Sequence, residues 1–401
     1  MVLVFPAGFT DRPKRLPLTI FALIIAIAAS GLTWLVLLSR HEFSPTTKQL
    51  WFETLGYDPA KATWWSAFTS LLIHADFFHA FVNLFGLWLF GWFVEMAMGW
   101  RYFVVFALLA HLLALKVQTL FWAWKGQSDP PILVGSSALV AFCAGAFCVR
   151  FRDVKVKWQM LRGWQWGKNE ITTPIWWLAA FWLACQFALL ALHSADKPAV
   201  AHISSFLFGV TTAFGLGWHK QAKLDQLKRM AKQAERENRW LEAANFWLQV
   251  SQLNSNDVAA LLSAVRNFLL GKDWKMAEQT LWKAIERFVW DEMAVQEASQ
   301  IALSDGAKNL SPEIAFSLAE QLERYRQYNE ALALFQIASQ KPNFAKAPQA
   351  LLKATELFWR LGAEDKARQT LHLFWLKYGQ THWRHEASTL AVQFRQRGEK
   401  Q

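Results

Sequence analysis

Four residues before Gly217 have side chains suited to acyl chemistry and sit inside apolar runs: His79, Asn83, Ser137 and His202. A serine becomes a nucleophile when a base takes its proton. An imidazole can be that base, and an amide with a backbone N–H can stabilise the oxyanion that follows. Ser137 lies in the run Ile132–Ala146, ILVGSSALVAFCAGA, where Gly135-Ser136-Ser137-Ala138 places it near the N-terminal end of a segment expected to be helical over Leu133–Val149. Such a terminus has free backbone N–H groups. Gly, Ser and Ala also occur in membrane helices merely to let neighbours approach, so the case rests on the other polar groups.

Their depths agree. From Ser137 to Arg150 is about 20 Å of helix against about 30 Å of hydrocarbon, which sets Ser137 below the face opposite Arg150. His79 and Asn83 are four apart and share a helix face. Counted up from Glu95, Asn83 is about 18 Å high and His79 about 24 Å, and His202 lies about 24 Å above Trp218. Polar groups at membrane depth are costly, and as a cluster they mark function. No Asp or Glu falls inside the spans near His202, which favours a Ser–His dyad over a triad. The small residues Gly145, Ala146, Ser204, Ser205 and Gly209 allow the close helix approach a dyad needs.

These residues require a membrane bundle to position them. The chain has 401 residues and is 54% hydrophobic with 24 Trp, but its apolar runs stop near Gly217. Six segments of spanning length precede that point: Leu18–Leu38, Phe77–Met98, Tyr102–Trp122, Leu133–Val149, Pro174–Leu192 and Val200–Gly217. The stretch between Ser39 and Ala67 is aromatic but too polar to span, and suits the outer interface. The basic connection Arg150–Lys168 and the basic residues after the sixth segment place both termini in the cytoplasm. With +11 net charge lying largely beside apolar segments, nucleic-acid binding is not expected. Cys143, Cys148 and Cys185 all fall in apolar segments and imply no disulfide framework. His111 and Lys116, within the third segment, have no assigned function, and Lys116 is expected to snorkel.

Across about Phe68–Gly217 the sequence resembles rhomboid intramembrane serine proteases. The resemblance rests on FTSLLIHADFFHAFVN with His74, His79 and Asn83, on Glu95 and Gly99, on GSSA around Ser137, and on AHISSFLFG around His202. It implies Ser137 as nucleophile and His202 as general base. It implies His79, Asn83 and the Ser137 N–H as oxyanion donors, with His74 and Gly135 as supporting motif residues. It also implies a transmembrane protein substrate, a lipid environment, and neither metal nor cofactor. The sequence departs from the family pattern at three places: Ala138 and the pair Ser204-Ser205 stand where glycines are common, and Ser66 stands where an arginine often follows Trp65. The alternative is a catalytically inactive rhomboid-like protein that binds transmembrane helices.

Beyond Leu224 the pattern is amphipathic and helical. Trp240, Ala243 and Trp247 recur 34 residues on as Trp274, Ala277 and Leu281, and the spacing returns at Tyr328, Ala331, Phe335, Ala338 and Pro342 and again at Ala367 and Leu371. The longer interval from Trp274 to Tyr328 implies one degenerate unit. This resembles tetratricopeptide repeats, whose stacked helix pairs present extended surfaces to a protein partner. The expected fold is all-α, a six-span rhomboid-like bundle followed by a soluble α-solenoid. The expected divisions are a tail at 1–17, a membrane domain at 18–219 and a cytoplasmic repeat domain at 220–401. The expected address is a multi-pass protein of a bacterial inner membrane.

Overall fold

The structure, a computed structural model, describes residues 2–10, 16–39, 45–162, 165–192, 198–304, 310–341 and 343–398. The chain divides into two compact units, Met1–Lys223 and Leu224–Gln401.

The first unit runs β1 (Val2–Phe9), α1 (Leu18–Ser39), α2 (Pro45–Leu55), α3 (Ser66–Thr69), α4 (Phe77–Gly86), a π-helical turn (Leu87–Gly91), α5 (Trp92–Met98), α6 (Trp100–Trp124), α7 (Ser137–Arg150), β2 (Lys155–Arg162), β3 (Gln165–Pro174), α8 (Ile175–Ala191) and α9 (Ala199–Gly215), ending in the start of α10 (Trp218–Arg236). Each of the six apolar segments is helical. Among the described residues, Phe77–Met98 and Trp100–Trp124 meet the length and hydropathy of a membrane span, and Ala199–Gly215 with Trp218–Arg236 does so only if taken as one broken span. Leu18–Leu32, Ser137–Arg150 and Ile175–Ala191 are apolar but shorter.

α7 is the centre of this unit, with every residue from Ala138 to Phe147 buried. Its contact with α9 is backbone against backbone. A methyl group on Gly145 would meet the Phe206 carbonyl oxygen, and one on Gly209 would meet the Phe142 carbonyl oxygen and sit 2.9 Å from the Ala146 nitrogen. The outer helices keep large apolar groups uncovered, among them Tyr102, Leu109 and Leu120 of α6 and Trp177, Phe181 and Phe187 of α8. In water such patches would be costly, whereas in lipid they are the solvated surface. In the first turn of α5 the buried Glu95 carboxylate accepts from the Thr19 and Ile20 backbone N–H groups at 2.9 and 2.8 Å. It thereby caps the N-terminus of α1 with negative charge.

Two sequence expectations need correction. The fourth apolar helix starts at Ser137, not at Leu133, because Leu133 exchanges two 2.9 Å backbone hydrogen bonds with Tyr57 and Gly135 then turns with φ +104°. The tail and the basic Arg150–Lys168 connection are not plain loops: β1, β2 and β3 form an antiparallel sheet, with Val2 opposite Arg162 and Lys155 opposite Pro174. Lys155-Val156-Lys157-Trp158 alternates polar and apolar residues, a strand signal that the charge pattern obscured. Val156 is buried and pairs with the buried Phe9.

The second unit continues with α11 (Trp240–Leu253), α12 (Val258–Leu270), α13 (Trp274–Arg287), α14 (Glu292–Leu303), α15 (Pro312–Arg324), α16 (Tyr328–Ser339), α17 (Ala347–Arg360), α18 (Glu364–Tyr378) and α19 (Arg384–Gly398). The turns before α11, α13, α16 and α18 share one backbone form. Asn238, Lys272, Arg326 and Gly362 take φ of 57°, 61°, 62° and 77°. The next residue's N–H closes onto the helix before, as in Asp273 to the Phe268 carbonyl at 3.0 Å and Gln327 to the Leu322 carbonyl at 2.9 Å. This is the six-to-one bond of a left-handed helix terminator. Three residues into each following helix stands a fully buried alanine, Ala243, Ala277, Ala331 or Ala367. The longer interval before Tyr328 holds one additional helix, α14, which buries Ala294, Val295, Ala298 and Ile301.

Candidate active site

Ser137 is the first residue of α7, and its Oγ lies 2.7 Å from His202 Nε2 on α9. The preceding Ser136 occupies the N-cap position without a side-chain capping bond, so its hydroxyl does not saturate the first N–H groups of the helix. Ala138 does not hold the two helices apart. Its methyl packs with Ala114 and Ala201, and its carbonyl accepts a 2.6 Å hydrogen bond from the Ser205 hydroxyl. The two departures from glycine therefore meet each other across the α7–α9 seam. Ser66, the third departure, is buried and bonded locally to Thr63.

The loop that delivers Ser137 is held at several points. Gly135 donates its N–H to the Ser70 carbonyl at 2.7 Å, and the Ser70 hydroxyl lies 3.3 Å from His111 Nε2 on α6. This gives His111 a structural position behind the site, while Lys116 is exposed. Gly135 also faces α4. A methyl group there would come within 2.9 Å of His79 Nε2 and 3.3 Å of Asn83 Nδ2. Glycine is thus required both by its positive φ and by this approach. Asp76 caps α4 by accepting the His79 N–H at 2.8 Å. Asn83 is buried, and its Nδ2 has no hydrogen-bond partner among the described residues. A donor in that state has not been compensated for its desolvation, and an anion nearby would supply the missing acceptor.

His74 lies in the loop before α4, and its Nε2 accepts the Ser136 N–H at 3.4 Å. Burial first, then the neighbouring His79, push its imidazole down from 6.5 to about 4. It is neutral near pH 7 and keeps the lone pair that this contact uses.

The base is held from two helices, α6 and α8, which the sequence reading did not anticipate. Gln118 of α6 accepts the Ala201 backbone N–H at 2.9 Å, fixing the first turn of α9. Trp182 of α8 lies against the His202 ring with centroids 5.6 Å apart. Gln186, one turn further along α8, places Oε1 2.7 Å from His202 Nδ1. The signal for both glutamines was present in the sequence, since each is an amide in an apolar helix. Among the described residues no group of three or more His, Cys, Asp or Glu side chains is disposed to hold a metal ion.

A hydroxyl bonded to an imidazole, beside uncapped helix N–H groups and a buried amide donor, is an arrangement able to carry out acyl transfer inside an apolar bundle. Residues 61–219 match the family model described as Rhomboid domain, so the first unit carries a rhomboid-like membrane domain. The repeats lie outside that match. No curated protein matches the chain.

Proposed function

We propose that the chain is an intramembrane serine endopeptidase that cleaves transmembrane substrates near the outer membrane face. The observation that carries this reading is the 2.7 Å contact between Ser137 Oγ and His202 Nε2, made by residues on two helices. In the proposed reaction His202 takes the hydroxyl proton as Ser137 attacks the scissile carbonyl. The tetrahedral oxyanion is met by the Ser137 N–H, Asn83 Nδ2 and His79. His202 returns the proton to the leaving amine, and water then releases the acyl-enzyme by the same route. The six apolar helices form the bundle that excludes bulk water from this step. The repeat unit recruits a protein partner, a reading supported by its 34-residue period and recurring turns.

The test needs no knowledge of the native substrate. Wild-type protein in detergent or bilayer is treated with a fluorophosphonate probe and assayed on an artificial helix-breaking transmembrane substrate. Labelling and cleavage should both disappear in Ser137→Ala and in His202→Ala, and the double variant should be little worse than either single one. Asn83→Ala should lower turnover by about 10²–10³-fold if its amide meets the oxyanion. Folded wild-type protein that neither labels nor cleaves would leave a non-catalytic binder of membrane helices.

A further inference from the structure

Within the serine-protease reading above, we propose that Gln186 is a positioning residue for the general base: it fixes which imidazole nitrogen of His202 carries the proton. α8 is apolar along its length, and Gln186 is its only amide or charged side chain. The helix buries Ile175, Ala179 and Gln186 and leaves most of its other residues exposed or half-exposed. An amide that turns inward from such a helix loses its solvation unless it is bonded. It makes that bond to His202 Nδ1 at 2.7 Å.

The chemistry of the contact has one productive sense. The amide oxygen can only accept, so Nδ1 must be the protonated nitrogen, and Nε2 then keeps its lone pair toward Ser137 Oγ–H. In the opposite tautomer Nε2 would donate to the hydroxyl and could not take its proton. When Nε2 is protonated during attack, the Nδ1–H remains bonded to a carbonyl dipole that stabilises the imidazolium. A carboxylate would do this more strongly, but at the cost of a permanent charge at membrane depth. Trp182 limits the ring's rotation about its own axis, with centroids 5.6 Å apart. Gln186 and Trp182 are four apart on α8, so one helix face supplies both the bond and the ring contact.

The test compares Gln186→Met, which keeps the volume and removes the acceptor, with Gln186→Glu, which keeps the acceptor and adds charge. In Gln186→Met we expect kcat on the artificial substrate to fall by about 10–100-fold with KM little changed, as expected for loss of an interaction that matters only when the base is used. In Gln186→Glu activity should be retained, and the acid limb of the pH–rate profile should move to higher pH because a carboxylate favours the protonated ring. A residue needed only for packing would move KM or folding and would not move that limb. The tautomer is read directly by ¹⁵N NMR of imidazole-labelled protein, with His202→Ala used to assign the signal. Wild type should show protonated Nδ1 and unprotonated Nε2, and Gln186→Met should lose that preference. The NMR result stands whether or not the protein cleaves anything. Absence of labelling and cleavage in folded wild type would defeat the protease reading while leaving the tautomer question answerable. Wild-type kcat in Gln186→Met, an unmoved acid limb in Gln186→Glu, or a Nδ1-unprotonated wild-type ring would overturn the proposal. If Gln186→Met fails to fold, the Gln186→Glu profile and the wild-type tautomer decide it.

Discussion

With its imidazole kept neutral by burial, His74 offers Nε2 to the Ser136 N–H, and a proton on that nitrogen removes the acceptor. A histidine depressed in the folded state contributes stability that is fully present above its unfolded value. That contribution is lost as pH falls from 6.5 through about 4. The first unit should therefore lose conformational stability across that window, and His74→Gln, whose carbonyl cannot take a proton there, should flatten the loss. Thermal unfolding of both proteins between pH 7 and 4 measures it, and parallel curves would remove His74 from the account. The same rule made most of the site readable in the sequence: Ser137, His79, Asn83 and His202 each interrupt an apolar run. It applied equally to Gln186 and Gln118, which went unread because the search for a partner to the base was a search for an acid. A neutral amide has half the chemistry of a carboxylate and none of its charge, so it leaves no mark in a charge pattern.

At the scale of elements, the repeat unit depends on turns that take a left-handed residue at Asn238, Lys272, Arg326 and Gly362. Only the last is the residue that adopts this conformation without strain. Arg326→Gly should relieve a Cβ clash and stabilise the second unit by about 1 kcal/mol, whereas Gly362→Ala should destabilise it by a similar amount. Chemical denaturation of the full-length protein, followed by a probe in the repeats, tests the pair, and equal midpoints would show that the turns are not under strain. The recurrence of Ala243 and Ala277 was visible as a 34-residue spacing because close packing restricts the residue type. Helix α14 was not, since its apolar face reads like that of any paired helix and nothing in its composition says that it stands alone. The strands were missed for a related reason: the lysines of β2 satisfied a topology argument before their alternation with Val156 and Trp158 was weighed.

For the whole molecule, the β1–β2 pairing bears on topology independently of charge. Residues that share a sheet lie on one side of a bilayer, so the number of crossings between β1 and β2 must be even, which is consistent with the four apolar helices that separate them. Truncation after Lys223 removes the second compact unit and leaves all the side chains around Ser137 and His202 in place. The truncated protein should cleave an artificial substrate largely as the full chain does while changing its choice among native ones. A folded but inactive truncation would make the repeats a structural support. The sheet also carries a consequence in time. Val2 pairs with Arg162, so β1, once made, waits for nearly the whole span of the helices through α7 to be synthesised. At roughly 5–20 residues per second this is a delay on the order of ten seconds, during which β1 has no partner strand. Pairing over so long a stretch of chain is intrinsically late. β1 is therefore a clasp fastened after the helices are made, and a bulky tag placed just ahead of it should slow maturation more than it impairs membrane insertion.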